Sequence, residues 1–133
     1  MQLMKEYCGN FIIKDNKSVI RYLKEFENED KEFFVVLGLN SRNAVIYREI
    51  VSIGTLNSCL ISPREIFKKA IMMSANNIII AHNHPSGNEQ PSEEDKNITT
   101  KLIQGGKLLD IALLDHIIIT PKSNYSFNEH DLI

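Results

Sequence analysis

Apolar positions along this chain recur with two different periods, one typical of helices and the other of strands. Three segments have helical spacing, and each follows a residue that often begins a helix. The predicted helices are 17–29 after Asp15 or Asn16, 63 to about 74 after Ser62, and 93–104 after Ser92. We expect Ser62 and Glu65 to form a capping box and Gly105-Gly106 to end the third helix.

Short runs of β-branched and aromatic residues predict the strands. These runs lie at 32–39, 44–52, 78–80, within 108–120 and at 125–127. Asn40-Ser41-Arg42-Asn43 is rich in residues that favour turns, and we expect it to join the first two strands into a hairpin. Because helices and strands otherwise alternate, the prediction is an α/β fold on a mixed sheet. A length of 133 residues indicates one domain, in which residues 1–16 form a loose N-terminal arm.

The charge and cysteine patterns favour an ordinary cytoplasmic protein. The net charge is −2, and lysines and acidic residues are interleaved, so no basic stripe supports nucleic-acid binding. Cys8 and Cys59 are isolated, as is usual in a reducing compartment. No apolar run is long enough to cross a bilayer, and no secretory signal is visible, so we expect no membrane association.

The chemistry in the sequence is concentrated where the strand at 78–80 gives way to the third helix. His82 and His84 are two residues apart, so on an extended backbone their side chains leave the same face. Ser92 and Asp95 follow in the first turn of the helix. Two imidazoles alone are more often a satisfied loop pair, but Asp95 adds a third donor. This set, with a position left for water, predicts one catalytic zinc per chain, although iron or manganese suits the same donors.

The motif His-x-His, seven residues, Ser, two residues, Asp resembles that of the JAMM (MPN+, or JAB) zinc metalloprotease superfamily. His82-Asn83-His84-Pro85-Ser86-Gly87, Pro63-Arg64-Glu65 and Leu114-Asp115-His116 are similar to the RadC-like branch, over roughly residues 30–133. The resemblance implies the MPN fold, a curved mixed sheet flanked by helices, in a short form without the N-terminal helix-hairpin-helix region. It also implies a metallopeptidase or isopeptidase that hydrolyses an amide bond in a peptide or protein substrate.

The resemblance also suggests catalytic residues. JAMM enzymes use an upstream glutamate on another strand as proton carrier, and Glu49 matches that position. Strand alternation independently places it on the face of Val45, Tyr47 and Val51, and a carboxylate among apolar neighbours tends to have a raised pKa. The alternative is a surface glutamate on an edge strand. The other candidates lack this combination: Glu29, Glu32 and Glu65.

Ser92 has two interpretations. It is a helix N-cap from its position, or, by the resemblance, a hydroxyl donor to the oxyanion of the tetrahedral intermediate. One hydroxyl is not expected to satisfy both geometries at once. His116 is likewise either a core histidine in an apolar strand or a partner of a metal ligand, and Asp115 beside it is equally open.

Of three alternative functions, the sequence excludes one and leaves two open. A zinc nucleobase deaminase is excluded, because it needs His-x-Glu and a later Cys pair, whereas His84 occupies the Glu position and no cysteine follows Cys59. A DNA repair-associated or DNA-processing protein is a second alternative, suggested by the RadC-like resemblance. The third is a non-catalytic MPN-type scaffold, a class that usually lacks the metal residues.

Overall fold

The computed structural model describes residues 11–54 and 61–133. Three α-helices and five strands are found there in the predicted order. They are α1 (Asn16–Tyr22), β1 (Phe33–Leu39), β2 (Val45–Ile53), α2 (Pro63–Met72), β3 (Asn77–Asn83), α3 (Glu93–Leu109), β4 (Ala112–Ile119) and β5 (Asn124–Ser126). None of these described helices is both long and apolar enough to cross a membrane.

The strands form one sheet in the order β2-β1-β3-β4-β5. Only β3 and β4 run parallel among the pairs of this sheet in the described residues, so the predicted mixed α/β sheet is confirmed. One face packs against α2 and α3, with a core that includes Phe34, Val36, Phe67, Ile80, Ile98 and Leu102. The opposite face packs against α1, with a core that includes Val19, Leu23, Val35, Leu37, Ile79 and Ile117. The sheet is therefore covered on both sides.

The first helix is shorter than predicted. Asp15 caps it as expected, since its side chain accepts a hydrogen bond from the Ser18 N–H at 2.9 Å. The α-helix ends at Tyr22, and a 3₁₀ turn continues from Lys24 to Phe26. The tighter turn places residues three apart on one side, and Leu23 and Phe26 are both buried in this way.

The predicted loose arm is attached to the hairpin in its described part. Ile13 donates its N–H to the Asn43 carbonyl at 2.8 Å, and Val45 donates to the Phe11 carbonyl at 2.8 Å. Ile13 is buried, so residues 11–16 belong to the packed body. The remainder of the predicted arm, residues 1–10, lies outside the described residues.

The second helix begins where predicted, but the capping box does not form. Ser62 makes no side-chain hydrogen bond to the helix, so the prediction for Ser62 and Glu65 is wrong. Pro63 occupies the first turn, where a missing N–H leaves no additional group unpaired. The Ser62 carbonyl accepts the Ile66 N–H at 3.1 Å, and this backbone bond begins the helix.

The third helix does not end at Gly105-Gly106, as predicted, but runs through both glycines to Leu109. Their role is close packing. A β-carbon at position 105 would lie 2.9 Å from the Phe67 ring, and one at position 106 would lie directly against the Ile111 carbonyl oxygen. The helix instead ends at Asp110, which has the left-handed conformation at φ 57°. A glycine pair selected for packing was therefore misread as a helix stop.

Candidate metal centre

The end of β3 carries the two predicted histidines. β3 lies between β1 and β4, and His82 pairs with Phe34 on one side and Ile118 on the other. The last residue of the strand, Asn83, accepts the Phe33 N–H at 2.6 Å and donates to the Lys31 carbonyl at 2.8 Å. These hydrogen bonds fasten the end of β3 to the segment that enters β1, which fixes the backbone that carries the histidines.

The start of α3 orients Asp95. The Ser92 hydroxyl accepts the Asp95 N–H at 3.0 Å, and Asp95 Oδ2 accepts the Ser92 N–H at 2.8 Å. This reciprocal capping box confirms Ser92 as N-cap. It also points the Asp95 carboxylate away from its own helix and toward the histidines.

His82, His84 and Asp95 converge. The two Nε2 atoms are 2.8 Å apart, Asp95 Oδ1 is 3.2 Å from His82 Nε2, and Oδ2 is 3.3 Å from His84 Nε2. Asp95 Oδ1 is buried and has no aligned hydrogen-bond donor, despite the nearby ring nitrogen. A buried carboxylate oxygen without a donor is costly, and a cation between these atoms would satisfy it. The three residues therefore form a group whose donor set fits a metal ion.

The electrostatics of the group keep the Asp95 carboxylate ionised, the form that can bind a metal ion. Burial alone would raise the pKa of Asp95, but the neighbouring His82 and His84 imidazoles lower it well below its usual range. Burial would lower the pKa of His84, yet Asp95 and the Asn88 carbonyl raise it above its usual value. The ionised carboxylate thus favours the protonated form of His84, and a proton on its Nε2 would compete with a metal ion for that nitrogen.

A polar cleft of about 420 Å³ opens on the cluster. It is lined by Glu32, His84, Ser86, Asn88, Gln90, Pro91, Ser92, Glu94 and Asp95. His84 is on the cleft side with 12% of its side chain exposed, whereas His82 lies beneath it and is buried. A substrate group in the cleft can therefore reach the cluster from one side.

Glu32 is a cleft residue that was rejected as proton carrier on the sequence alone, in favour of Glu49. It lies immediately before β1, two residues from Phe34, which pairs with His82, so alternation brings it toward His84. Its negative charge contributes to the raised pKa of His84. The sequence did contain one indication of this position: Glu32 directly precedes the apolar run of β1, and β1 pairs with the strand that carries His82.

Glu49 is not brought to the cleft. It lies on β2 opposite Val36, and Val36 in turn pairs with Ile80, so all of β1 separates Glu49 from β3. Two strand spacings amount to about 10 Å. The alternation argument also fails at Val45, since a register shift places this residue in the core of the opposite face.

Ser92 lines the cleft while it caps α3. Its cap bond uses a lone pair of the hydroxyl oxygen and leaves the O–H free to donate elsewhere. The expectation that one hydroxyl cannot serve both geometries therefore does not follow from the structure.

His116 is in contact with the metal group. It is fully buried, its Nε2 lies 2.8 Å from His82 Nδ1, and its Nδ1 lies 2.6 Å from the Thr99 hydroxyl. Both sequence interpretations thus apply, since a core histidine is also the partner of a candidate ligand. Sequence spacing could not indicate this contact because it depends on the parallel register in which His116 pairs with Ile80.

Asp115 is a structural anchor. Its carboxylate accepts hydrogen bonds from the Ser126 hydroxyl at 2.6 Å, the Asn128 N–H at 3.0 Å and the His116 N–H at 2.7 Å. These bonds hold the segment after β4 against the sheet. His130, which follows β5, is exposed.

Comparison with known proteins identifies the family. The RadC-like JAB domain family matches residues 13–132. A UPF0758 protein of Chlorobaculum parvum is 48% identical over 122 residues, which are 91% of this chain and 55% of that protein. A UPF0758 protein of Clostridioides difficile is 50% identical over 114 residues, 86% of this chain and 46% of that protein. The chain spans about half the length of such relatives. It therefore belongs to the RadC-like JAB domain family, and its mixed α/β sheet agrees with the JAB/MPN fold.

Proposed function

We propose that this domain is a zinc-dependent hydrolase that cleaves an amide bond in a peptide or an isopeptide-linked protein. One observation carries the proposal: two imidazole nitrogens and a buried, incompletely bonded carboxylate meet at the floor of an open polar cleft. Three protein donors on a cleft are typical of a catalytic metal site, whereas structural zinc sites are usually closed by four.

His82, His84 and Asp95 would hold the ion. Zinc in such a site supplies Lewis acidity, which lowers the pKa of water and polarises a carbonyl group. The capping box and the strand pairing hold the three donors from two different elements. This rigid support suits a site in which ligand geometry must not change during turnover.

Glu32 would act as the proton carrier, in preference to Glu49. It would accept a proton from the attacking water and return it to the amine that leaves as the C–N bond breaks. Support comes from its place on the cleft and from its firmly held backbone. Asn83 binds the groups on either side, the Lys31 carbonyl and the Phe33 N–H, and the Glu32 carbonyl accepts the Gly54 N–H at 2.8 Å.

Ser92 would donate its free O–H to the oxyanion that develops on the substrate carbonyl. Its position at the cleft supports this role, and the cap bond fixes the oxygen while leaving the hydrogen available. Ser92 could therefore donate to the oxyanion without breaking its cap bond to the Asp95 N–H.

Elemental analysis of the purified protein tests the metal site. We expect about one zinc per chain, lost in His84→Ala. His130→Ala is the matched control because it removes an exposed histidine on the segment after β4 and should retain zinc. Absence of zinc from the native chain, even after zinc is added, would contradict the proposal and favour a scaffold role.

The proton carrier is tested with peptide and isopeptide substrates. Glu32→Gln should lower kcat by about 10²- to 10⁴-fold while zinc remains bound, because the isosteric amide cannot carry the proton. Glu49→Gln is the paired variant and should leave kcat near the native value. The opposite pattern would restore Glu49 as the proton carrier.

A further inference from the structure

We infer that His116 and Thr99 are positioning residues that set the tautomer of His82, so that His82 Nε2 faces the metal group without a proton. The inference rests on the proposed metal site and extends it to residues that do not touch the ion. It concerns a chain of hydrogen bonds between β3, β4 and α3.

Every hydrogen bond in this series is short. His82 Nδ1 is 2.8 Å from His116 Nε2, and His116 Nδ1 is 2.6 Å from Thr99 Oγ1. Thr99 Oγ1 is 2.7 Å from the backbone carbonyl oxygen of Asp95. The series of hydrogen bonds therefore begins at one candidate ligand, His82, and ends at another, Asp95. All four residues in it are buried.

The last hydrogen bond, from Thr99 to the Asp95 carbonyl, determines which atom donates in each of the others. A carbonyl oxygen can only accept, so the Thr99 hydroxyl must donate its single hydrogen to Asp95. Thr99 can then only accept from His116, which requires a proton on His116 Nδ1. A neutral His116 has a bare Nε2, which accepts from His82 Nδ1–H. His82 Nε2 is thereby left as the nitrogen with the lone pair that a metal needs.

Packing leaves His116 few alternatives. Its ring is stacked on Phe127 at 4.3 Å between centroids, and Phe34 lies edge-on at 6.1 Å. The residue is 0% exposed, so no bulk water can replace either hydrogen-bond partner. A doubly protonated ring would bury a charge and set its Nε2–H against His82 Nδ1–H, which makes the neutral form the one that fits.

Asp115 supports this arrangement from the other side. It binds the Ser126 hydroxyl and the Asn128 N–H, so the intervening Phe127 is held against the His116 ring. The Phe127 N–H also donates to the His116 carbonyl at 3.0 Å. The segment after β4 therefore fixes the plane of the ring, and Thr99 fixes its protonation.

The chain of hydrogen bonds can be broken with an isosteric pair. Thr99→Val removes the hydroxyl with little change in volume, while Thr99→Ser retains it. Without the acceptor, His116 is free to carry its proton on Nε2, which forces the His82 proton to Nε2. We expect zinc affinity, measured by competition with a chromophoric chelator, to fall about 10- to 100-fold in Thr99→Val. Thr99→Ser should bind zinc with nearly native affinity.

Nitrogen-15 NMR of the imidazole rings tests the tautomer directly in the native chain without metal. We expect His116 protonated at Nδ1 and bare at Nε2, and His82 protonated at Nδ1. A proton on His116 Nε2, or equal zinc affinity in the two Thr99 variants, would overturn the inference. The His116 tautomer is read without zinc or substrate, so its failure is distinguishable from failure of the proposed hydrolase function.

Discussion

Substitution of Ser92 should affect helix stability and catalysis to different degrees, and the two effects can be measured separately. Ser92→Ala removes the hydroxyl that accepts the Asp95 N–H at 3.0 Å. Loss of such a cap costs about 1 kcal/mol, which corresponds to a fall in Tm of about 3–5 °C for a domain of this size. Loss of an oxyanion donor lowers kcat by about 10²- to 10³-fold. Zinc should stay bound, because the bond that holds the Asp95 carboxylate comes from the Ser92 backbone N–H at 2.8 Å.

Two further substitutions assign each effect to its cause. Ser92→Asp keeps an oxygen acceptor for the cap but has no hydrogen to donate, so it should preserve the Tm and lose turnover. Ser92→Thr keeps both groups and should preserve both properties. Urea unfolding, kcat and bound zinc are measured on all variants. Native turnover in Ser92→Asp would refute the donor role, and an unchanged free energy of unfolding in Ser92→Ala would refute the stabilising cap.

Two other predictions concern packing and metal removal. Gly106→Ala should lower the free energy of unfolding by about 1–3 kcal/mol, because the new methyl group would lie against the Ile111 carbonyl oxygen and outweigh the gain in helix propensity. Urea unfolding checks it, with Lys107→Ala as an exposed control on the same helix, and a stabilised Gly106→Ala would contradict the packing argument. Removal of zinc with a chelator should lower the Tm, since free zinc at 100 times Kd stabilises the folded state by about 2.7 kcal/mol. His84→Ala should show no zinc-dependent shift in Tm, and an equal shift in that variant would place the zinc elsewhere.

The features that were predictable from sequence are local ones. His82 and His84 share a strand end, and Ser92 and Asp95 share a helix turn, so their approach follows from the period of each element. The strand pattern likewise identified the hairpin and the buried strands around it. Spacing within one element is enough for such features because the backbone geometry is regular.

The missed features depend on how elements meet. Glu32 comes to the cleft through the antiparallel register of β1 and β3, while the strand order places β1 between Glu49 and the histidines. His116 reaches His82 through the parallel register of β3 and β4. Gly106 faces Ile111 in space, so its packing role has no local signature. Registers and interfaces are set by the whole core, which a single sequence does not display.

The start of α3 couples the fold to the candidate site. The same two residues, Ser92 and Asp95, close the capping box and line the cleft. Thr99, one turn further along, accepts from His116 and donates to the Asp95 carbonyl. A well-formed helix start would therefore orient the Asp95 carboxylate toward a metal ion, so that metal binding is coupled to folding of this helix. Because β3 supplies the other donors, metal binding in this arrangement would fasten α3 to the centre of the sheet.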